Sequence, residues 1–429
     1  MRLPAVFDVL RERNLARFAG ATAVSALGNG MADIALAFAI LGLGGPSELG
    51  VVFVAREIPL VALLLLGGVW ADRISRKTIL VSADLVRSAA QASIAVLLLT
   101  ATADLWKIVI LQVAFGSANA FSRPAYTGLV QQLVRPEMLQ RANALLGLAR
   151  SPAQIAGPAL GAVIVTAASP AWALAADATT FATSAALVLS LHLGRVTRGA
   201  MNSVLADLRE GWKEFTSRTW VWTIVGYFGL YQLTLFPALL VLGPFVAKEQ
   251  LGGAGAWGTI LAIEAIGSVI GGVVALRVRF SRPLVALTLL AMPEALILLL
   301  LAVPAPVPVI AATAFVAAVC LTMGNVLWFS TLQRHIPEHA ISRISSFDWL
   351  GSVVFNPIGY VLVGPLSGLI GVPQTLVLAG SLNIMFGFVL LTVRSVRSLG
   401  EFPSAAEAEE SVASKAPGRE EAASGSPEV

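Results

Sequence analysis

Long apolar runs separated by short polar segments dominate the chain from residue 17 to residue 394. The stretch from Phe18 to Leu43 carries one charged residue, Asp33, and the stretch from Leu284 to Pro304 carries one, Glu294. A helix crosses the hydrocarbon core of a bilayer with roughly 20 apolar residues, and its backbone groups are then bonded within the segment. The alternating segments of about ten residues that a membrane β-barrel needs are not present in the sequence. The pattern therefore predicts membrane-spanning α-helices.

About twelve such helices are expected, joined mostly by short loops. Their predicted ranges are 17–43, 47–70, 77–101, 104–132, 138–168, 170–193, 218–247, 254–276, 282–303, 306–333, 339–369 and 372–394.

The two halves of the chain repeat short motifs in the same order. The first pair is separated by 204 residues and the second by 201 residues. The motifs are Gly67 to Arg73 with Gly271 to Arg277, Pro136-Glu137 with Pro337-Glu338, and Gly157-Pro158 with Asn356-Pro357. Such matches indicate a duplication. The predicted fold is an all-α membrane protein with two pseudo-symmetric six-helix bundles, an arrangement suited to alternating access around a site near the midplane.

Four regions follow from this pattern. They are a first bundle at 1–193, a cytoplasmic linker at 194–217, a second bundle at 218–396 and a tail at 397–429. The linker carries apolar residues at helical spacing, which predicts an amphipathic helix at the membrane surface. These residues are Val204, Leu208, Trp212 and Phe215. The tail is rich in Ala, Glu, Ser and Pro, which predicts disorder.

The composition excludes several classes of protein. The chain is 57% hydrophobic and 13% charged, whereas soluble domains carry about a quarter charged residues. One cysteine, Cys320, allows neither a disulfide framework nor a cysteine-based metal site. No phosphate-binding glycine loop or catalytic triad is found, so we expect neither an ATP-driven pump nor an enzyme. No catalytic residue, metal or cofactor is predicted.

The positive charges are distributed unevenly between the loops on the two sides of the membrane. One set of loops holds 21 Lys and Arg residues, and the alternate set holds Lys107 and Lys248. Because Lys and Arg are retained on the cytoplasmic side, both termini are predicted to be cytoplasmic. The net charge of +4 reflects this topology and does not indicate nucleic-acid binding. The abundance of Ala, Gly and Arg suggests a bacterium, hence a multi-pass protein of the bacterial cytoplasmic (inner) membrane.

The segment from Gly68 to Leu80 resembles the signature of the major facilitator superfamily, in the loop between its second and third helices. The resemblance implies a gate latch made by Asp72, Arg73, Arg76 and Lys77. Physically, Asp72 is able to accept hydrogen bonds from the N-terminus of a neighbouring helix. The basic residues are able to pair with acids when the cytoplasmic side closes. The alternative is that the basic residues only anchor the topology.

Gly157 to Gly161 on the fifth helix resembles the motif of the antiporter and drug-exporting branches, with Ala162 in place of a usual Gly. Small residues allow close helix contact and Pro158 bends the helix, which suits a gating role for Gly157 and Pro158.

Further motifs are similar to one exporter branch, which includes enterobactin and macrolide exporters. They are Arg13-Asn14, Gly28 to Met31, Asp84 to Arg87, Asn143 to Leu145 and Asp177. The fourth helix departs from the antiport families, because Gln112 lies where they often carry an Arg.

Ionisable residues inside the spans are the candidates for function, because a charge within lipid is costly and usually faces a cavity or a partner. The candidates for a proton and substrate cavity are Asp33, Glu264, Arg150, Asp177 and Glu294. For Asp33 and Glu264 the alternative is a structural ion pair, for example with Arg56 or Arg150.

Three further charged residues are assigned to gating or structure. Asp84 and Arg87 lie three residues apart on one helix face, where they are able to pair. Asp348 lies in the cytoplasmic half of the eleventh helix.

The sequence thus predicts a secondary active transporter that exports small amphipathic molecules (drug, macrolide or siderophore-like) by proton antiport and alternating access. The alternatives are an uptake permease or lipid flippase of the same fold, or a non-transporting membrane receptor. The expected partners are a small-molecule substrate, protons and membrane lipids, without nucleic acid, and the chain is expected to be a monomer.

Overall fold

The computed structural model describes residues 12–135, 138–192, 212–278, 280–336 and 338–399. The first half of the described chain forms α1 Arg13–Leu43, α2 Pro46–Arg73, α3 Arg76–Leu99, α4 Leu105–Leu133, α5 Leu139–Ala167 and α6 Pro170–Leu189. The second half forms α7 Thr219–Gln250, α8 Ala254–Ala275, α9a Pro283–Ala291, α9b Pro293–Ala302, α10 Val307–His335, α11a Glu338–Val353, α11b Asn356–Ile370, α12 Val372–Thr392 and a short α13 Arg394–Ser398.

The twelve predicted helices are confirmed with boundaries that differ by a few residues, but two of them are broken. The ninth is interrupted between α9a and α9b, where Pro293 has no backbone N–H to donate. The eleventh is interrupted at Val354 and Phe355, and α11b restarts with Asn356-Pro357 at its first turn. The predicted spans 282–303 and 339–369 thus each consist of two helical segments. Proline is favoured at a helix start, where its missing donor costs nothing.

The predicted linker and tail lie largely outside the described residues. Val204 and Leu208 of the linker belong to this part, as does the chain beyond residue 399. Trp212 to Thr216 is helical. The Trp212 ring lies 5.6 Å from the ring of Phe347 in α11a, measured between centroids.

The helix pairs of the first half recur in the second half. In the first half α2 packs on α4, α3 on α4 and α6, and α1 on α5 and α6. Six helices further along, α8 packs on α10, α9 on α10 and α12, and α7 on α11 and α12. The prediction of two pseudo-symmetric six-helix bundles is thereby confirmed.

Large apolar side chains cover the outward faces of these bundles. Examples are Val96, Ile110, Val163, Leu362 and Phe388, all of which are exposed. Ten helices among the described residues are long and apolar enough to cross a membrane. Exposed apolar faces of this extent are stable in a bilayer and not in water.

The two halves meet at one end of the molecule, which we call the distal end. It is the end at which α1 finishes and α2 begins. There α2 packs on α11b, with Gly50 against the backbone of Tyr360 and Gly364 against Ser47. One apolar cluster contains side chains of both halves, among them Leu49 and Trp257. We refer to these contacts as the distal seam.

The opposite end, at which α1 begins and α12 finishes, is the proximal end. The described buried residues of this end form two separate apolar clusters. One cluster belongs to the first half and includes Leu15 and Leu129. The other belongs to the second half and includes Trp220 and Leu332. The halves are thus joined distally and separated proximally, which opens the space between them toward the proximal end.

Candidate functional site

Asp33 and Arg56 form an ion pair close beneath the distal seam. The Arg56 guanidinium donates from Nη1 to Asp33 Oδ1 over 2.9 Å, and the Asp33 side chain is 55% exposed. The same guanidinium lies 5.0 Å from the centre of the Phe115 ring on α4. Because α1 packs against α2, α4, α5, α6, α7 and α8, an exposed side chain in its middle faces the central space and not lipid. The ion-pair alternative for Asp33 is realised with Arg56.

A second pair lies deeper in the first half, between α3, α4 and α6. Arg87 donates to Asp84, and Ser184 Oγ donates to the other carboxylate oxygen over 2.7 Å. Arg87 Nη1 also donates to Asn119 Oδ1 over 3.1 Å, and its guanidinium lies 4.6 Å from the centre of the Phe181 ring. The predicted Asp84–Arg87 pairing is confirmed. Both charges are compensated where they are buried.

Asp177 of α6 is fully buried and is bound by neutral donors. Gln91 Nε2 donates to Asp177 Oδ2 over 2.7 Å, and Thr180 Oγ1 donates to Oδ1 over 3.3 Å. Arg56 and Arg87 lie within electrostatic range of this carboxyl. Asp177 therefore belongs to a polar network that connects α3 and α6.

The second half holds a different arrangement. Glu264 of α8 and Glu294 of α9b lie close enough for their charges to repel each other. The hydroxyl of Tyr231 on α7 lies within hydrogen-bonding reach of the Glu294 carboxyl. Glu294 is 6% exposed, whereas Glu264 is half-buried. The structure thus places two of the predicted cavity residues within electrostatic range of each other, in the half of the chain that does not contain Asp33.

Arg150, the remaining predicted cavity residue, is exposed in the middle of α5. Its guanidinium lies 5.5 Å from the centre of the Tyr126 ring on α4. Asp33 is bound by Arg56, so Arg150 is not the partner that the sequence offered as an alternative.

The predicted gate residues Arg76 and Lys77 bind backbone carbonyls of their own half. Arg76 Nη1 donates to the Gly128 carbonyl over 2.6 Å, and Lys77 Nζ donates to the Leu191 carbonyl over 2.8 Å. Both carbonyls lie near the C-terminal ends of helices, where the helix dipole favours cations. The side chains of Asp72 and Arg73 lie outside the described part of the chain.

Gly157 and Pro158 lie at a contact of α5 with two helices. On one side a Cβ atom at Gly30 of α1 would stand 2.8 Å from Pro158 Cδ and 3.0 Å from Gly157 Cα. On the other side Gly258 of α8 lies directly against the methyl group of Ala162. The departure at Ala162 is thus accommodated by a glycine in the facing helix.

Asp348 and Trp328 form a buried pair near the proximal end. Trp328 Nε1 donates to Asp348 Oδ2 over 3.0 Å, and the Trp328 ring lies 5.9 Å from the ring of Trp220. Trp328 is 4% exposed and is therefore a packing residue.

Several polar residues that lie among these charged groups were not identified from the sequence. They are Gln91, Asn119, Ser184 and Asn383, which lie on four different helices. The available signal was a polar residue within an apolar run, most clearly Asn383 between Leu382 and Ile384. This signal marks a polar neighbour without revealing which helix supplies it.

The comparison with protein families identifies the chain. The model of the Major Facilitator Superfamily matches residues 18–354. The chain belongs to the major facilitator superfamily. It is therefore a membrane transporter of small molecules and not an enzyme, as the sequence predicted.

Two groups of relatives are exporters by name. The transporter is 24% identical to the multidrug efflux pump Tap of Mycobacterium tuberculosis over 406 residues, which cover 90% of this chain and 94% of the relative. It is 24% identical to macrolide efflux protein A of Streptococcus pyogenes over 349 residues, which cover 77% of this chain and 84% of the relative.

Solved structures share the fold of the transporter. The nucleoside transporter NupG matches with a TM-score of 0.70 at 11% identity, over 88% of this chain and 98% of that one. A bacterial homologue of the human lysosomal transporter Spinster, inward-facing and unoccupied, matches with a TM-score of 0.70 at 13% identity, over 94% of this chain and 100% of that one.

Proposed function

We propose that the transporter exports small amphipathic molecules, drug-, macrolide- or siderophore-like in character, in exchange for protons. The observation that carries the proposal is the set of acids in the interior of a chain whose relatives are named as multidrug and macrolide efflux proteins. An ionisable group held within a membrane bundle marks an ion or substrate path.

The same proposal fixes the orientation. The transporter lies in the cytoplasmic membrane of a bacterium as a monomer with both termini in the cytoplasm, because its basic loops are on that side. The proximal end is then cytoplasmic, and the conformation described above is inward-facing. In it the substrate enters from the cytoplasm or from the inner leaflet.

Coupling requires a carboxyl group that binds either the proton or the substrate. Glu264 is placed for this role, since it is half-buried in the central region and no Lys or Arg occurs along α8. Protonation neutralises a carboxylate and weakens its attraction for a cation, so proton entry drives release of a cationic substrate. Asp33 is assigned the same exchange in the first half, with Arg56 as the group that holds its charge when no substrate is bound.

Gating is assigned to the charged residues and small-residue contacts outside this central set. Arg76 and Lys77 exchange their carbonyl partners for acids of the other half when the proximal end closes, together with Asp72 and Arg73. Gly157 and Pro158 keep α5 close to α1 and α8 during the movement. The pairs of Asp84 with Arg87 and of Asp348 with Trp328 keep each half rigid while it rotates.

The test is transport into inverted membrane vesicles. An acidic lumen is expected to drive accumulation of ethidium, a fluorescent amphipathic cation, and Asp33→Asn or Glu264→Gln is expected to reduce the rate by about tenfold or more. Glu249→Gln is the control, because this acid is exposed at the distal end of α7. Unchanged proton-driven transport after both substitutions would remove both assignments, and flux in the opposite direction would identify an uptake system.

A further inference from the structure

Four side chains form a continuous row inside the first half, which we call the arginine–phenylalanine row. They are Arg56 of α2, Phe115 of α4, Phe181 of α6 and Arg87 of α3. The Arg56 guanidinium carbon lies 5.0 Å from the centre of the Phe115 ring, and the Arg87 guanidinium carbon lies 4.6 Å from the centre of the Phe181 ring. The two ring centres are 5.8 Å apart, with the ring planes at 74°. The row connects the ion pair of Arg56 at the central space with the buried ion pair of Arg87.

The two rings of the row are placed to bind cations on their faces. Phe115 is 1% exposed and Phe181 is fully buried, so both rings are shielded from water. The face of an aromatic ring carries a partial negative charge and attracts a cation within about 6 Å of the ring centre, more strongly where water is excluded. The T-shaped contact between the rings also stabilises their orientation.

The two arginines of the row are held to different degrees. Arg87 donates three hydrogen bonds within the first half, over 3.3 Å to the Ala83 carbonyl, over 3.1 Å to Asn119 Oδ1, and to Asp84. Arg56 donates one hydrogen bond among the described residues, to Asp33, whose side chain is 55% exposed. An arginine has five N–H donors, so most of those of Arg56 are not used. Arg87 is thus the fixed end of the row, and Arg56 is the end that is able to move.

A close backbone contact fixes the point from which the Arg56 side chain extends. Gly116, which follows Phe115 in α4, lies against the Arg56 backbone, and a Cβ atom at this glycine would clash with the Arg56 carbonyl oxygen. Helices α2 and α4 pack closely along each other. Because the backbone is held there, the guanidinium stays within reach of the Phe115 ring when it is not bonded to Asp33.

We propose that Phe115 is a positioning residue, which keeps the Arg56 guanidinium bound when a cationic substrate takes its place at Asp33. Arg56 then acts as an internal cation that competes with the substrate for one carboxylate. This role rests on the proposed function, because it concerns the exchange at Asp33. It makes the binding of a cationic substrate depend on a buried ring that the substrate does not touch.

The ring contributes more after this exchange than before it. In the structure the charge of Arg56 is balanced by Asp33, and the ring is its second contact. Once a substrate cation occupies the carboxylate, the ring is the contact that remains, and a like charge stands nearby. A cation–π contact is worth about twofold to thirtyfold in an equilibrium constant, with the larger values where water is excluded. Loss of the ring should therefore weaken the binding of a cationic substrate.

The first experiment tests the contact without a substrate. Denaturant unfolding of the purified full-length protein in detergent is measured for Arg56→Gln, Phe115→Leu and the double variant, in the wild-type background and in Asp33→Asn. The Asp33→Asn background removes the carboxylate charge from Arg56, as a bound cation would. We expect the two substitutions to be non-additive, and their coupling to be larger in Asp33→Asn by about threefold in the unfolding equilibrium constant.

Additive effects, or the same coupling in both backgrounds, would overturn the proposal. If Phe115→Leu does not fold, Phe115→Met takes its place, because the flexible methionine side chain fills more of the space of the ring.

The second experiment measures the affinity for a cation in inverted membrane vesicles. Phe115→Leu is expected to raise the KM for ethidium by about threefold to tenfold with kcat within about twofold of the wild type, whereas Phe115→Tyr keeps a ring and should stay within about twofold in both. Phe18→Leu is the matched control, because Phe18 is 2% exposed in a different cluster of the first half and its ring pairs with that of Tyr126. A KM for Phe115→Leu equal to that of the wild type would contradict the proposed role.

The same measurement in an Arg56→Gln background separates positioning from packing. With Arg56 absent, the further change Phe115→Leu should leave the KM for ethidium within about twofold, because there is no guanidinium for the ring to hold. A KM that rises as much as it does in the presence of Arg56 would make Phe115 a packing residue and refute its positioning role.

The outcomes distinguish this proposal from the proposed function. If the wild type shows no ethidium transport driven by a pH gradient, the proposed function fails, and the unfolding experiment still decides whether Phe115 holds Arg56. If the wild type transports ethidium and Phe115→Leu leaves its KM unchanged, only the role of Phe115 fails.

Discussion

The two halves share a helix arrangement but treat buried charge in opposite ways. In the first half Asp33 has Arg56, Asp84 has Arg87 and Ser184, and Asp177 has Gln91. In the second half Glu264 and Glu294 lie within electrostatic range of each other, and neither forms an ion pair with Lys or Arg among the described residues. Duplication has thus supplied two scaffolds, of which one is charge-balanced and the other carries an excess of acid.

Because the acids of the two halves differ in whether they have basic partners, we expect the two halves to have different roles. A compensated ion pair keeps its charge and its geometry in both conformations, so it is suited to holding helices together. An acid without a basic partner changes its protonation at a smaller cost, so it is suited to carrying a proton. The comparison predicts that substitutions in the buried Asp84–Arg87 pair of the first half mainly change stability and those at the acids of the second half mainly change coupling.

The largest effect is expected when the balanced pair of the first half is broken. Arg87→Met leaves Asp84 buried with Ser184 as its remaining donor, which should reduce the free energy of unfolding by about 3 to 5 kcal/mol. The thermal unfolding midpoint of the purified protein in detergent measures this loss. The double variant Asp84→Leu with Arg87→Met should recover most of it, because no charge is then left unpaired.

The matching substitution in the second half sharpens the comparison. Glu294→Gln removes an acid that has no basic partner, so its unfolding midpoint should equal or exceed that of the wild type. If Glu294→Gln destabilises the protein as strongly as Arg87→Met, the two halves do not differ in the way described here.

A smaller loss of stability is expected when a glycine that allows close helix contact is replaced by valine. Gly30→Val forces a side chain against Pro158 and the Gly157 backbone inside one bundle, which should cost about 1 to 3 kcal/mol of stability. Gly258→Val introduces a similar clash between the halves, which are able to separate instead. It should therefore leave the unfolding midpoint nearly unchanged and open the distal seam.

Cysteine labelling distinguishes these two responses. In a Cys320→Ser background, a Ser47→Cys probe on α2 reports on the seam because Ser47 packs against Gly364. Gly258→Val should increase the labelling rate of this probe, whereas Gly30→Val should not. Equal labelling in the two variants would show that Gly258 does not control the seam.

The smallest effect on stability is expected from a substitution at the distal ends of α1 and α7, where one hydrogen bond joins the two halves. Lys248 Nζ donates to the Leu41 carbonyl over 2.5 Å and thereby joins the two halves. Lys248→Met removes this bond, which should destabilise the closed seam by about 0.5 to 1.5 kcal/mol. The Ser47→Cys probe should then be labelled a few times faster, with no change in the unfolding midpoint. Lys107→Met, in the first turn of α4 within the first half, serves as the control.

The fold could be predicted from the sequence because the bilayer imposes a simple length and hydrophobicity rule. The breaks at Pro293 and Asn356 could not, because prolines such as Pro124 and Pro237 lie within continuous helices of the same protein. Whether a proline interrupts a helix depends on how neighbouring groups satisfy the freed carbonyl, and that is a tertiary property.

The candidate site was only partly predictable. The position of an acid within an apolar run identified Asp33, Glu264 and Glu294 as unusual residues. Pairing over short sequence distances, as between Asp84 and Arg87, followed from helix geometry. The electrostatic effect of Glu294 on Glu264 depends on how α8 and α9b are arranged in space, so these two acids could not be ranked above Asp33 before the structure was known.

In the distal seam, glycines lie directly against backbone atoms, as at Gly50 with Tyr360 and at Gly364 with Ser47, and apolar side chains of both halves pack around them. Apart from the Lys248 bond, these contacts are van der Waals contacts, whose loss leaves no polar group stranded in the hydrocarbon. When the distal seam opens, lipid acyl chains are therefore able to replace the van der Waals contacts that each helix loses. The rate of opening should consequently respond to the thickness and lateral pressure of the bilayer more than to the salt concentration.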